Sequence, residues 1–399
     1  MTGKDRQPGG HRRRRPGLSA LLLSLLLLVA CGEAGGDRLS WVLQASWASY
    51  RDHFISPEGR VILRERGNGT ISEAQAYALL RALWVGDEQT FVRLYRWTRK
   101  NLSREASHGD RLLAWHWGQK PDGSWGVLDW NTASDADLDY ALALVLASRQ
   151  GWRAPADLPD YMTEARQVAQ DILAKEVVEL PSGRLYLAPG NWHAKDPPYL
   201  LNPSYFFPAA YRFFAQTGFG HHWSRLHADA YPFLQRLTQD LGQTPGVGLV
   251  PDWVQVEGDG KLTPSPERSS HFGWEAVRLP WRVALDRLWF GDLAAARLCQ
   301  EQFLPFFAKE WQDKGKLLAE YRYDGSPLVD FESPVLYAGA LAAGLAGGDR
   351  KFAWQMAQKI LTFYREKGGQ AYFVDPDNYY ANNWAWFGLA LHAGWVKIY

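Results

Sequence analysis

Apolar residues recur at spacings of three and four along almost the whole chain from Asp37 onward, with few prolines inside the pattern. That period predicts amphipathic helices over residues 38–51, 72–86, 88–103, 135–150, 159–176, 204–217, 221–240, 272–289, 292–309, 333–347, 350–366 and 379–396. Several neighbours are separated only by a turn, as at Gly86-Asp87 and Gly348-Asp349. Connections that short make antiparallel pairs. Six helical hairpins in one all-α chain suggest a closed ring of inner and outer helices, an α/α toroid. An open helical-repeat array is the alternative, and the lack of any repeat of fixed period argues against it.

The longer links differ in composition. Residues 104–131, 177–203 and 243–266 are rich in Gly, Pro, Asn and Trp, and long ordered links in a compact domain tend to carry function. Val177 to Leu187 alternates weakly around Pro181-Ser182-Gly183, the pattern of a small hairpin. No second domain is visible between residues 38 and 399, and 46% hydrophobic content over 399 residues suffices for a large core.

The first thirty residues read as a targeting segment. Six basic side chains stand against one acid there, followed by an apolar run from Leu18 to Ala30. The run is short for a bilayer span and has the length of a signal h-region. It ends in Leu28-Val29-Ala30-Cys31, which resembles the lipobox of bacterial lipoproteins. Residues 1–30 are therefore expected to be a signal peptide, Cys31 the lipidated residue, and 31–37 a flexible tether. An ordinary signal peptide or an uncleaved membrane anchor is the alternative. The expected location is the exported face of a bacterial envelope. Without residues 1–30 the body carries net charge −4, which gives no electrostatic reason to bind nucleic acid.

With Cys31 assigned to lipid, Cys299 has no disulfide partner and reads as a small buried residue on a helix. His221 and His222 are adjacent and cannot share a helical face. No cysteine or histidine cluster has metal-ligand spacing.

Three helices open on acids. Thr70-Ile71-Ser72-Glu73 leads one, Ser134-Asp135-Ala136-Asp137 a second, and Trp274-Glu275 a third. Thr70 with Glu73 has capping-box spacing, Ser134 with Asp137 a looser form, and acids in a first turn complement the helix dipole. A structural role is thus available for each. What favours chemistry is the company of aromatic rings in the links: Trp115, Trp117, Trp125, Trp130, Trp192 and Trp253. Flat rings at such positions suit stacking on sugars.

Four segments resemble glycoside hydrolase family 8, the bacterial endoglucanases, chitosanases and xylanases. They are T-I-S-E-A-Q-A-Y-A-L-L (70–80), W-G-V-L-D-W-N-T-A-S-D-A-D-L-D-Y-A-L-A-L (125–144), N-P-S-Y-F-F-P-A-A-Y (202–211) and W-A-W-F-G-L-A-L (384–391), in the family's order. The resemblance implies an (α/α)6 barrel with a cleft across one end, where inner helices start. It implies that Glu73 is the general acid and that Asp135 binds and distorts the sugar at the cleavage point. Asp137 and Asp139 would orient neighbours or cap the helix, with Asp137 counted among the groups near substrate. Trp125, Trp130, Tyr205 and Arg278 would also contact it.

The base is where this chain departs from the family. Many members carry aspartate in Y-D-A-x-R-x-P-W-R, and here the segment reads W-E-A-V-R-L-P-W-R (274–282). Glu275 holds the base position with one extra methylene, and Asp252 is the next candidate. An inverting pair needs roughly 6.5–9.5 Å between its carboxyl groups. Glu73 must also be protonated near neutrality. A helix N-terminus opposes that, whereas burial and the nearby charge of Asp135 favour it.

The implied activity is endo-hydrolysis of β-1,4-glucan by a monomer, with no metal or organic cofactor. Chitosan, xylan or mixed-linkage glucan are alternative substrates. A glycan-binding lipoprotein without catalysis, or a toroidal scaffold, is the reading from another class.

Overall fold

The computed structural model describes residues 2–3 and 38–399. The apolar run to Ala30, the lipobox cysteine Cys31 and the tether to Asp37 lie outside the described residues. The chain divides into two compact units, Met1–Val42 and Leu43–Tyr399, and the second carries the fold. Among the described residues no helix is long and apolar enough to cross a membrane.

Twelve helical runs in the described residues follow the pattern read from the sequence. Residues 38–54 are helical, of which 43–54 form α1 of the large unit. Then come α2 (Ser72–Val85), α3 (Glu88–Asn101), α4 (Ser134–Arg149), α5 (Tyr161–Lys175), α6 (Pro208–Gln216) and α7 (His222–Leu237). The remainder are α8 (Leu279–Phe290), α9 (the continuous run Leu293–Lys314, with a π-helical segment Cys299–Phe303), α10 (Pro334–Gly347), α11 (Arg350–Leu361) and α12 (Tyr379–His392).

Burial separates them into two rings. Fourteen of sixteen residues of α4 and twelve of fourteen in α2 are buried, so these helices are covered on every face. In α3 only Thr90, Phe91, Leu94, Tyr95, Trp97 and Thr98 are buried, one stripe of an amphipathic helix. The even-numbered helices form the inner ring. α2 packs on α4, α6 on α8, α8 on α10 and α10 on α12. Tyr77 of α2 meets Trp384 of α12 edge to face at 5.8 Å and closes the circle. Arg282 of α8 spans the interior to Asp139 of α4 through two 2.8 Å bonds. The result is a barrel of six helical hairpins, the (α/α)6 toroid. Cys299 is buried on α9, as its isolation in the sequence suggested, and burial raises its thiol pKa.

Sequence chemistry accounts for the connections. Gly86 and Gly348 adopt φ +86° and +88°, the left-handed region where a glycine meets no Cβ penalty. Asp87 and Asp349 then cap the following helices by accepting from Thr90 N at 3.0 Å and Phe352 N at 2.9 Å. Asp160 and Asp292 do the same for α5 and α9.

The two capping boxes expected around Glu73 and Asp137 do not form. Ile71 and Ala133 occupy the N-cap positions of α2 and α4, and neither helix has a side-chain cap. Thr70 Oγ1 instead donates to Val61 O at 2.7 Å, and Ser134 Oγ donates to Ala188 O. Both hydroxyls are recruited by segments distant in sequence.

The links supply short strands above the barrel end. Strand β1 (Thr70–Ile71) pairs with β2 (His116–Gln119), which pairs with β3 (Trp125–Asp129). The hairpin predicted around Pro181 is present as β4 (Val177–Glu179) and β5 (Leu185–Leu187). β6 (Tyr199–Leu201), β7 (Val254–Val256) and β8 (Leu262–Pro264) make a second three-stranded sheet from two of the links.

Candidate active site

Backbone bonds from the links fix the two acid-bearing helix openings. Ser72 N donates to Trp115 O at 3.0 Å, so α2 starts where β1 ends and Glu73 falls in its first turn. Ser134 N donates to Pro189 O at 3.1 Å, which sets Asp135 in the first turn of α4. Glu275 precedes a 3-10 turn, Ala276–Arg278, that runs into α8, so the third helix starts later than the periodicity suggested.

One arginine gathers all three acids. Arg278 Nη1 lies 2.7 Å from Glu73 Oε2 and 3.1 Å from Asp135 Oδ2, and Nη2 binds Glu275 Oε2. Ser204 Oγ accepts from Nη2 at 2.9 Å, and the guanidinium sits 5.2 Å from the Tyr205 ring centre. Arg278 is 2% exposed, so water screens little of this charge. Three carboxyl groups on one cation cannot all ionise cheaply. Burial pushes the Glu73 pKa up, Arg278 opposes the shift, and the charge of Glu275 adds to it. Burial likewise pushes Asp135 up, to about 7, against Arg278 and with help from Glu73. Both shifts favour the protonated carboxyl at this shared cation.

Glu73 makes two further contacts. Tyr379 OH donates to its Oε1 at 3.1 Å and Tyr77 OH to its Oε2 at 3.4 Å. These donors favour the ionised form, but desolvation is the larger effect.

The two base candidates are separated by their surroundings. Asp252 Oδ1 accepts from the backbone N–H groups of Gly273, Glu275 and Ala276 at 3.1, 3.1 and 2.8 Å, while its Oδ2 accepts from Ser269 Oγ. It is 5% exposed, and burial raises it to about 6 against those bonds. Asp252 therefore anchors the turn that presents Glu275 and does not line the cavity. Glu275 lines it, with its side chain 36% exposed, held by Arg278 and by Asn202 Nδ2 at 3.0 Å. Gly273 is required in this turn, because a Cβ there would lie 2.7 Å from Asp252 Oδ2.

The acids open into a cavity of about 630 Å³, within the range of ligand pockets. Its aromatic lining comprises Trp115, Tyr205, Trp274, Phe331, Tyr379 and Tyr380, among others. Trp274 Nε1 donates to Glu320 Oε1 at 3.0 Å, and Tyr380 OH donates to Trp274 O.

Of the residues singled out from sequence, Glu73, Trp115, Asp135, Tyr205, Glu275 and Arg278 meet in this cavity. Trp125, Trp130 and Asp137 do not line it. Trp125 stacks on Trp117 at 5.2 Å and Trp130 packs on His108, both still partly exposed. Asp137, expected near substrate, is 0% exposed and accepts from Leu113 N at 2.9 Å behind the cleft. Tyr379, Tyr380, Asn202 and Ser204 were given no role from sequence. The signal was available: the two tyrosines open the helix that carries the 384–391 motif, the same position that drew attention to Glu73.

Among the described residues, His227, Asp286 and Asp292 are close enough to share an ion. Arg212 already fills the space between them, with Nε 3.0 Å from Asp286 Oδ1 and Nη2 bound to Asp292. The cluster is an ion-pair network.

Endoglucanase A of Acetivibrio thermocellus is 29% identical over 332 residues, 80% of this chain and 64% of that protein. An endoglucanase of Escherichia coli is 34% identical over 260 residues, 65% of each chain. The chain thus spans about two thirds of the length of these relatives. A β-1,3-1,4-glucanase structure from Paenibacillus sp. X4 superposes with TM-score 0.75 at 20% identity, covering 91% of this chain and 94% of that one, which speaks for the fold. The family described as glycosyl hydrolases family 8 matches residues 23–362. With that match running across most of the barrel and through all three acids on Arg278, this chain belongs to glycosyl hydrolase family 8.

Proposed function

We propose that the chain is an inverting endo-hydrolase of β-1,4-glucan. The observation that carries the reading is a half-buried acid with a raised pKa, Glu73, sharing Arg278 with a more exposed carboxylate, Glu275, in an open aromatic cleft. Glu73, protonated, donates to the glycosidic oxygen as the bond to the anomeric carbon breaks. Water attacks that carbon from the opposite face and yields its proton to Glu275. Asp135 holds the distorted sugar and stabilises positive charge in the oxocarbenium-like transition state. Arg278 orients all three groups. The steps use carboxyl groups alone.

The glucanase assignment draws on the endoglucanase names of the two relatives, and the β-1,4 linkage on the sequence resemblance. It is tested by reducing-end release from soluble cellulose, mixed-linkage glucan, xylan and chitosan, with the product anomer followed by NMR. Release from the cellulose derivative with an inverted first product is expected. Binding without release, unchanged in Glu73→Gln, would identify a glycan-binding protein instead.

We further propose that the chain is exported and anchored by lipid at Cys31, on the lipobox alone. Incorporation of labelled palmitate that persists in Cys31→Ser would overturn this.

A further inference from the structure

Behind the cleft floor, Asp137 and Glu176 form a pair that the proposed chemistry does not use. Both are 0% exposed. Asp137 Oδ1 accepts from Leu113 N at 2.9 Å, and Glu176 Oε1 accepts from Thr132 Oγ1. Their remaining oxygens, Asp137 Oδ2 and Glu176 Oε2, are sealed from solvent and meet no donor N–H or O–H from any other residue. The two side chains lie within hydrogen-bonding reach of each other. Ionised carboxylates only accept hydrogen bonds, so a bond between two of them requires a proton.

The pair also sits where the two acid-bearing helices are set. Leu113, held by Asp137, is two residues before Trp115, whose carbonyl accepts from Ser72 N at the start of α2. Thr132, held by Glu176, is two residues before Ser134 and exchanges bonds with Asn191, accepting from Asn191 N at 2.9 Å and donating its own N–H to Asn191 Oδ1. One carboxyl–carboxyl contact therefore joins the segments that place Glu73 and Asp135.

We propose that Asp137 and Glu176 hold one proton between them in the folded protein, and that this bridged pair is the device that positions the openings of α2 and α4. The role of those openings rests on the function proposed above. The groups facing the pair are Asp135 and Tyr140 on α4 and Arg104 from the link that precedes α4. Arg104 is already bound to Asp110, which also holds Lys175 at the end of α5. Among the described residues, the cation acting on both acids, Arg104, is already committed to Asp110.

Burial moves both groups the same way: Asp137 far upward, and Glu176 to about 8. An acid with a raised folded pKa keeps its proton in the folded chain after the unfolded chain has lost it. Its contribution to stability is intact below about pH 4.5 and falls until the folded pKa is passed, near 8.

The test uses the full chain with Glu176→Gln, Asp137→Asn and Glu176→Leu. An amide N–H in either of the first two takes the place of the shared proton, so both are expected to fold. Infrared spectra at pH 7 should show a buried protonated carboxyl in the wild type that Glu176→Gln lacks. The fall of Tm between pH 5 and 8 should flatten in Glu176→Gln and Asp137→Asn. On a soluble cellulose derivative, Glu176→Leu should lower kcat at least tenfold and Glu176→Gln should restore it to within threefold. An unchanged carboxyl band, parallel Tm profiles, or failure of both amide variants to fold would overturn the shared proton. Equal kcat losses in the Leu and Gln variants would overturn the positioning role. The infrared and Tm measurements do not depend on the substrate, so an inactive wild type would sink the functional reading and leave the pair to be judged by them.

Discussion

Replacing Arg278 with methionine removes the one cation shared by Glu73, Asp135 and Glu275, and its cost should depend on pH in a way the structure specifies. In the wild type Asp135 is raised to about 7 even with Arg278 beside it. Its folded pKa lies above the unfolded value, so stability drains away between about pH 4 and 7, after which both states are ionised. Without Arg278 the folded pKa rises further, and the draining continues above pH 7. Each carboxyl group still protonated in the folded variant then costs about 1.4 kcal/mol per pH unit relative to wild type. For one such group the penalty should grow by about 2 kcal/mol between pH 7 and 8.5. Below pH 5 the difference should be smaller, because Asp135 is protonated in both proteins and the wild type carries a desolvated guanidinium. Urea unfolding of both proteins at several pH values from 5 to 8.5 reads this directly. A stability difference that stays constant across that range would refute the coupling of these charges.

Other expectations follow from the same geometry. Tyr379→Phe removes a donor that favours ionised Glu73, so the Glu73 pKa should rise and the basic limb of kcat/KM should move to higher pH. Glu275→Ala should lower kcat by about 10²–10⁴, with partial recovery in added formate, since Glu275 faces solvent. Asp252→Asn should lower Tm by disturbing the turn it anchors; a loss of kcat matching that of Glu275→Ala with unchanged Tm would exchange the two roles. Gly273→Ala drives a methyl to 2.7 Å from Asp252 Oδ2 and should cost about 1–3 kcal/mol in denaturant unfolding.

The barrel was legible because its signals are local. Spacing of apolar residues located all twelve helices, and Gly86-Asp87 and Gly348-Asp349 announced their turns. Boundaries slipped where a 3-10 turn came first, at Pro203–Tyr205 and Ala276–Arg278. The capping boxes failed because capping spacing is local while hydrogen-bond competition is not: Thr70 found Val61, and Ser134 found Ala188. The Arg278 hub joins residues 143 and 205 positions apart, which no spacing rule reaches. Family resemblance brought Arg278 and its acids to notice, and only the fold shows that one guanidinium serves all three. The same resemblance brought Asp137 forward with Asp135, yet successive positions on a helix diverge by about 100°. Two residues on from Asp135, Asp137 points behind the cleft.

Ile71 and Ala133, the apolar N-caps of α2 and α4, set a limit on engineering this barrel for heat. Converting a poor N-cap to Ser or Asp gains about 0.5–2 kcal/mol in many helices and is a routine route to thermostability. Both positions line the sugar cavity. A polar side chain installed there would compete for the first-turn amides beside Glu73 and Asp135 and would intrude on the substrate path. The stabilising substitution most readily suggested by helix rules is therefore the one that trades turnover for tolerance, and sites such as the exposed outer face of α3 are the better place to look for it.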